Sequence, residues 1–317
     1  MSLTMRLYTN DDYWTIREFL RAVFGRNQFR PHSWDVVRWD YWRWHGNENI
    51  EHFKLDEVIF IWENADGKIA AVLNPEGHGE AFFQVHPDFR SPQLEAEMLE
   101  VAETHLAQLD AQGCHRLHVW ANADDELRQT LLTARGYTRG KSPEYQRRRM
   151  VSREIPDAPI APGYTLRALG EVSEHPARSW VSWQAFHPAE PAENYRGWEW
   201  YRNVQRAPLY RRDLDLVAVA PSGEFAAFCT VWFDDVNRTG VFEPVGTSPA
   251  HQRRGLGKAL MREGLRRLDW LGATRAYVGS YSPAAHALYA SAGFIEYDVL
   301  ERWAKTWSPD PGKNGPV

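Results

Sequence analysis

The stretch Val245-Gly246-Thr247-Ser248-Pro249-Ala250-His251-Gln252-Arg253-Arg254-Gly255-Leu256-Gly257-Lys258-Ala259-Leu260 constrains the chain more than any other. An apolar strand pattern ends there in a glycine-bearing turn, and a short loop leads into a helical pattern. Arg253, Arg254, Gly255 and Gly257 fall where that helix begins. Glycines let a ligand approach the main chain closely. Amides at a helix start, together with the helix dipole, favour an anion. Two arginines add fork-shaped donors suited to phosphate oxygens. The stretch reads as a phosphate cradle.

Three phosphate motifs compete for these residues. A Walker loop needs Gly-Lys-Ser/Thr at its end, and Ala259 follows Lys258, so that pattern fails. A dinucleotide fingerprint needs a third glycine where Leu260 stands. The pattern Gln/Arg-x-x-Gly-x-Gly/Ala is matched throughout by Gln252-Arg253-Arg254-Gly255-Leu256-Gly257. Val245-Gly246-Thr247 precedes it, and Ala287-Leu288-Tyr289-Ala290-Ser291-Ala292-Gly293-Phe294 follows. On these motifs, residues 164–305 resemble the GCN5-related N-acetyltransferase (GNAT) superfamily. A merely arginine-rich, solvated helix start would leave the paired glycines and the Leu-Tyr-x4-Gly-Phe ending without a reason.

A length of 317 residues suggests about two domains. No stretch resembles a signal peptide and no apolar run is long enough to span a bilayer, so no membrane partner is expected. Cys114 and Cys229 are isolated, one in each half, which fits a reducing cytoplasm. A net charge of −5 argues against a nucleic-acid partner. The 15 tryptophans call for wide cores, a large interdomain contact or an aromatic-walled pocket.

The order of strand and helix signals occurs twice, an α/β (α+β) plan with helices flanking mostly antiparallel strands. In the first half, a strand at 5–8 precedes a helix through Ile16, Phe19, Leu20 and Val23. A second helix is expected after Ser33, with Trp34, Val37, Tyr41 and Trp44 on one face. Strands at 58–62, 69–73 and 81–85 form a meander, the first turn built on Asp66-Gly67. A helix at 93–112, a strand at 116–120 and a short helix ending at Gly136 complete it. The second half repeats this with strands at 164–167, 214–219, 225–233 and 240–245, the cradle helix, a strand at 276–279, a helix at 283–291 and a closing strand pair. Pro156, Pro159 and Pro162 mark a stiff linker. The expected division is residues 4–152, a linker at 153–163, a second domain at 164–306 and a disordered tail at 307–317. The resemblance makes this two tandem GNAT-like domains, each a mixed, twisted sheet.

The copies are not equivalent. Aligning His86-Pro87 with Ser248-Pro249 sets Gln93 against Gly255 and Glu95 against Gly257. Aligning Gly136-Tyr137 with Gly293-Phe294 sets Leu132 against Tyr289. A carboxylate where a pyrophosphate would sit repels it, so the first copy is expected to be degenerate and structural. Tandem acetyltransferases of the mycothiol synthase type are similar in this layout.

The resemblance implies acetyl-coenzyme A as co-substrate. Main-chain groups of Val245, Gly246 and Thr247 would pair with its pantetheine arm, and amides around Gln252, Arg253, Arg254, Gly255, Leu256, Gly257 and Lys258 would take the pyrophosphate. Ser282 stands where the family usually carries an asparagine that touches the coenzyme, and with Pro283 next it is also a candidate helix cap. Leu256, Leu260, Gly264, Leu268 and Leu271 form a core stripe.

Acetylating an alkyl amine needs a base, since its pKa is about 10. Glu243 lies two residues before Val245, on the same face of a regular strand, and is the candidate base. A satisfied polar residue or an anchor for substrate charge is the other reading of it. Asp234 and Asp235, in the preceding turn, are weaker candidates. Tyr289 matches the superfamily's acid tyrosine, which would protonate the departing thiolate; aromatic packing is its plainer reading. The aromatic groups Trp34/Trp39/Trp42/Trp44 and Trp180/Trp183/Trp198/Trp200 read as core or interdomain packing, or as an acceptor wall.

No metal is expected: no His-Glu-x-x-His occurs, and His115 and His118 point to opposite faces of a strand. Arg147-Arg148-Arg149 reads as a solvated strand edge. Neither cysteine falls in the expected site, which favours direct attack in a ternary complex over an acyl-enzyme. The expected activity is transfer of acetyl to the primary amine of a small molecule by a cytoplasmic monomer or homodimer. The alternatives are a non-catalytic acyl-coenzyme A-binding regulator and a protein or peptide N-acetyltransferase.

Overall fold

The computed structural model describes residues 3–151 and 154–308. Residues 309–317 of the expected tail, residue 152 at the end of the expected first domain and residue 153 at the head of the linker lie outside the described residues. In chain order the strands are β1 (Thr4–Leu7), β2 (Phe60–Glu63), β3 (Ile69–Asn74), β4 (Glu80–Val85), β5 (Gln108–Leu109), β6 (His115–Asn122), β7 (Thr138–Arg139) and β8 (Glu144–Met150). They continue with β9 (Thr165–Ala168), β10 (Asp215–Val219), β11 (Phe225–Asp234), β12 (Thr239–Thr247), β13 (Arg275–Ser280) and β14 (Glu296–Trp307). The α-helices are α1 (Asp12–Arg26), α2 (Val36–Tyr41), α3 (Leu55–Val58), α4 (Pro92–His105), α5 (Glu126–Ala134), α6 (His175–Phe186), α7 (Tyr201–Arg206), α8 (Leu256–Trp270) and α9 (Pro283–Ser291). A π-helix, Trp42–Glu51, follows α2.

By contact the chain divides into two compact units that interleave, where the sequence suggested one linear boundary. Unit 1 is residues 1–36, 50–144 and 298–317, and unit 2 is residues 37–49 and 145–297. Within unit 1 the strand order is β1-β2-β3-β4-β6-β14, and within unit 2 it is β8-β13-β12-β11-β10-β9. Each unit's sheet therefore ends in a strand drawn from the other half of the sequence. β14 pairs antiparallel with β6 from Leu300↔Asn122 to Trp307↔His115, so Trp307 is a strand residue and not the start of a tail. β8 pairs antiparallel with β13 from Arg275↔Met150 to Ser280↔Tyr145. An uncapped strand edge presents unpaired main-chain groups, and these ladders remove it. The closing element is thus one long strand and not the expected pair.

Arg147-Arg148-Arg149 accordingly lies in a paired strand and not on a solvated edge. Arg147 is buried and donates to the carbonyl of Phe294, while Arg149 donates to that of Ala292 at 2.6 Å. These arginines cap the C-terminal carbonyls of α9, where Gly293 takes a left-handed φ of 93°.

The expected one-face helix from Ser33 is divided. Trp34 belongs to unit 1, whereas Val37, Tyr41 and Trp44 pack with unit 2 around Trp232 and Phe228. The wider π-helical turn from Trp42 breaks the 3.6-residue phase that one stripe requires. The helix expected at 93–112 ends earlier, at His105.

The core of unit 2 follows the α8 stripe. Leu256, Leu260, Leu265 and Leu268 are buried against β10, β11 and β12, each worth about 1.5–3 kcal/mol of transfer free energy. At Gly264 an added Cβ would stand 2.7 Å from Phe242 and 2.8 Å from Val231, so the helix presses directly on the sheet there. The linker is also docked. Asp157 pairs with Arg266, the amide of Ala161 donates to the carbonyl of Arg254, and Ile155 and Ile160 pack on the core.

Candidate active site

Unit 2 contains a fork. β12 pairs in parallel with β13 only over Thr239–Val241 and Arg275–Tyr277 among the described residues, although β12 runs on to Thr247 and β13 to Ser280. The other edge of β12 stays paired with β11 to Thr247↔Ala227. Val245, Gly246 and Thr247 thus keep a main-chain edge turned away from β11, suited to an added extended ligand.

The cradle lies at the end of this strand. Arg253 and Gly255 both take left-handed φ angles, 62° and 79°, and Gly255 is the N-cap of α8. Successive turns of this kind aim amides into one concavity. No side chain caps the first-turn amides of α8, and Gln252, Arg253 and Arg254 are exposed beside them. Leu256 offers only its amide, because its side chain is core. Lys258 is half-buried in the first turn. The donor set fits a diphosphate.

The glycines have local reasons that the sequence reading assigned to ligand approach. A Cβ at Gly255 would stand 2.4 Å from the carbonyl oxygen of Pro159 in the docked linker. At Gly257 it would meet Leu288 of α9 at 3.2 Å, and at Gly246 it would meet Phe228 at 2.5 Å and Ala185 at 2.9 Å. Ser282 is the N-cap of α9, its hydroxyl accepting from the amide of Ala285 at 3.2 Å, so helix capping explains it. The loop before the cradle is pinned by His251, whose ring nitrogens bond the Tyr164 hydroxyl and Glu224, each at 2.8 Å.

Glu243 sits at a bulge. Val231 faces Phe242 and Cys229 faces Val245, so two steps on β11 oppose three on β12. Phe242 and Val245 contact the α8 core, while Val241 packs on the opposite face with Trp232. Alternation from Val241 returns Glu243 to the Trp232 side, and the extra residue puts Val245 on the other. This corrects the expectation of a shared face. The indole of Trp232 donates to the Glu243 carbonyl. Asp234, paired with Thr239, and Asp235 lie at the far end of the hairpin, roughly 20 Å along the strand from Val245.

Tyr289 is 7% exposed and packs in the α8 core, as its plainer reading expected. Burial raises its phenol pKa, and the charge of Glu243 raises it further. Cys229 is the register partner of Val245. Its thiol is fully buried, and burial followed by the charge of Asp215 pushes its pKa well up, so it carries no thiolate.

Sequence reasoning missed two residues from the segment 37–49. Tyr41 packs edge-on to Trp232 with centroids 5.8 Å apart; burial, then the charge of Glu243, raises its pKa. His45 lies against Tyr41 at 4.8 Å and Trp200 at 5.2 Å. Only a helical spacing hinted at Tyr41, and nothing local tied it to Glu243, some 200 residues away. Beneath them Arg178, fully buried, bonds Asp215 at 3.1 Å and Thr230 at 2.9 Å and lies over the Phe228 ring, holding α6 to the sheet.

In unit 1 the corresponding fork is bridged. β4 and β6 pair only at Glu80↔His118 and Ala81↔Val119. Beyond that, the Trp34 amide donates to Gln84 of β4, and Asn122 of β6 donates to the Pro31 carbonyl. At the start of α4, Ser91 caps the amide of Leu94. Glu95, fully buried, is bound by Arg128 at 3.0 Å and by Arg90, which also grips Asp125. His32, Asp124 and Asp298 bring ligand atoms within 4.8 Å of one another, but the Arg30 guanidinium already pairs with both carboxylates.

A profile of the acetyltransferase (GNAT) family matches residues 175–294. Residues 175–294 form a GNAT-family domain. The chain is 28% identical over 257 residues to a mycothiol acetyltransferase of Paenarthrobacter aurescens (strain TC1), covering 75% of this chain and 73% of that one. It is 31% identical over 193 residues to one of Salinispora arenicola (strain CNS-205), covering 58% and 61%. A tandem GNAT protein from the clavulanic acid biosynthesis pathway superposes with a TM-score of 0.66 at 17% identity, over 98% of this chain and 100% of that chain. A GCN5-related N-acetyltransferase from Sphaerobacter thermophilus superposes with a TM-score of 0.67 at 18% identity, over 97% and 96%. These superpositions establish the α/β fold, and the family and relatives establish an acetyltransferase. No helix among the described residues is long and apolar enough to cross a membrane.

Proposed function

We propose that unit 2 moves the acetyl group of acetyl-coenzyme A to the primary amine of a small molecule, by direct attack in a ternary complex. The observation that carries this reading is the fork between β12 and β13 that opens onto the uncapped start of α8, with Glu243 on β12 and Tyr289 on α9; burial and then the charge of Glu243 raise the Tyr289 pKa. The diphosphate lies on the amides from Arg253 to Lys258, and the pantetheine arm extends along Val245 to Thr247. The relatives' name, mycothiol acetyltransferase, supports a small-molecule acceptor.

Glu243 takes a proton from the acceptor amine, directly or through water, freeing the lone pair. The amine nitrogen attacks the thioester carbonyl carbon; the C–N bond forms, the C–S bond breaks, Tyr289 gives its proton to the sulfur, and the proton that the new amide nitrogen sheds returns to the phenolate, directly or through water. The coupling orders these events. A charged Glu243 holds Tyr289 protonated, and once the carboxylate has gained a proton the phenol becomes the better acid. Cys229 remains a buried thiol, which excludes it as acyl carrier. Unit 1 binds no coenzyme in this reading, since Glu95 and its arginines occupy the helix start and Pro31–Trp34 spans the fork.

The test is thiol release from acetyl-coenzyme A with a panel of small amines, alongside calorimetric titration with coenzyme A. Amine-dependent release and one site per chain are expected. No release with any amine, or binding that survives Gly255→Asp, would sink the reading.

A further inference from the structure

The segment 37–49 carries a histidine whose ring orientation and proton position are set by a chain of side chains outside the proposed catalytic pair. The Asn49 amide is fixed in direction. Its Nδ2 donates to the Trp200 carbonyl at 3.2 Å, an atom that can only accept. Its Oδ1 accepts from Asn203 Nδ2 at 2.7 Å, and Asn203 Oδ1 in turn accepts from Arg206. The contact of Asn49 Nδ2 with His45 Nδ1 at 3.0 Å therefore has the amide as donor and the ring nitrogen as acceptor. A neutral imidazole that accepts at Nδ1 carries its proton on Nε2. Burial lowers the His45 pKa to about 4, so the ring stays uncharged at neutral pH.

Among the described residues, no partner takes the proton on Nε2, and this nitrogen is not sealed from solvent. The ring lies 4.8 Å from Tyr41, whose phenol senses Glu243 and whose ring packs on Trp232. A histidine that only fills space needs no fixed tautomer. Here a defined N–H donor stands uncommitted, one aromatic ring away from the residues that face the proposed base.

We propose that His45 is a specificity-determining residue: its Nε2–H donates to an oxygen on the acceptor, next to the amine that Glu243 deprotonates. The acceptor class is an amine that bears a hydroxyl or carbonyl oxygen, its body resting on the Tyr41 side of the fork. This inference rests on the reading of the Glu243 fork as the active site.

Cyclohexylamine and 2-aminocyclohexanol differ by one hydroxyl and make a matched pair of probes. Their affinities are measured by calorimetry on the full chain saturated with coenzyme A, for the wild type, His45→Phe and His45→Gln. The wild type is expected to bind the amino alcohol about tenfold more tightly, the worth of one net hydrogen bond. His45→Phe, which keeps an aromatic ring, erases the preference; His45→Gln, whose amide can donate from a similar place, restores it. Coenzyme A affinity is unchanged in both variants. Equal affinities in the wild type, including no binding of either amine, overturn the proposal, as does a preference that survives in His45→Phe. Thiol release from acetyl-coenzyme A is measured in parallel. The expected pattern of preference without any release keeps His45 as the acceptor donor and removes the catalytic reading. Release that discriminates the two amines equally with and without the imidazole removes His45 alone.

Discussion

The charge of Glu243 adds to burial in raising the pKa of the Tyr289 phenol, although the two residues stand on a strand bulge and a helix 46 residues apart in sequence. Glu243 stands on the β12 bulge and Tyr289 on α9, whose two ends are fixed by Ser282 and by the arginines of β8. Tyr289→Phe keeps the ring that packs in the α8 core and removes the acid. Turnover should fall by about 10²-fold or more while coenzyme A affinity holds, read by thiol release and calorimetry. Undiminished turnover removes the acid role.

Glu243→Gln removes the charge that raises two phenols. The pKa values of Tyr289 and Tyr41 should both move down, while turnover drops by about 10²–10⁴-fold. Ultraviolet titration of the phenols, set against Tyr289→Phe and Tyr41→Phe, assigns the two shifts. Unmoved phenols would show that the carboxylate is held elsewhere by its own partners.

Gly255 carries a left-handed φ of 79° and faces the Pro159 carbonyl. Gly255→Ala should cost about 1–2 kcal/mol from the backbone alone, with more from displacing the linker. A lowered Tm and weakened coenzyme A binding are expected together, because the same turn aims the cradle amides. Weakened binding at an unchanged Tm would mean that the linker yields freely.

Glu95 lies between Arg90 and Arg128, which hold its pKa, and that of Asp125, below the usual carboxylate values despite the opposing effect of burial. A lowered folded-state pKa contributes stability that is present above the unfolded carboxylate range and lost as pH falls through the folded value. Unit 1 should therefore weaken below about pH 4. Glu95→Gln leaves two arginines short of a partner and should cost about 3–5 kcal/mol, flattening that acid dependence. Denaturant unfolding at several pH values measures both. An acid limb as steep in the variant as in the wild type would place the titration elsewhere.

What the sequence by itself determined is local in the chain. The order of strands and helices, the turn at Asp66-Gly67, the Ser282 cap, the α8 stripe and the glycine pair at the cradle all depend on neighbours within a few residues. Their patterns can therefore be read directly, and so can the mismatch of Glu95 with Gly257. Tertiary structure alone decided which half supplies each closing strand, because ladder pairing such as Tyr145↔Ser280 and Trp307↔His115 leaves little local trace. It also decided that a bulge turns Glu243 away from the face of Val245, that Cys229 pairs with Val245, and that Tyr41 and His45 pack on Trp232 and Trp200 from the first half. The closing strands and the segment of Tyr41 and His45 meet partners more than 100 residues away, and the bulge is set by the register of β11 on β12, so only the folded chain brings these groups together.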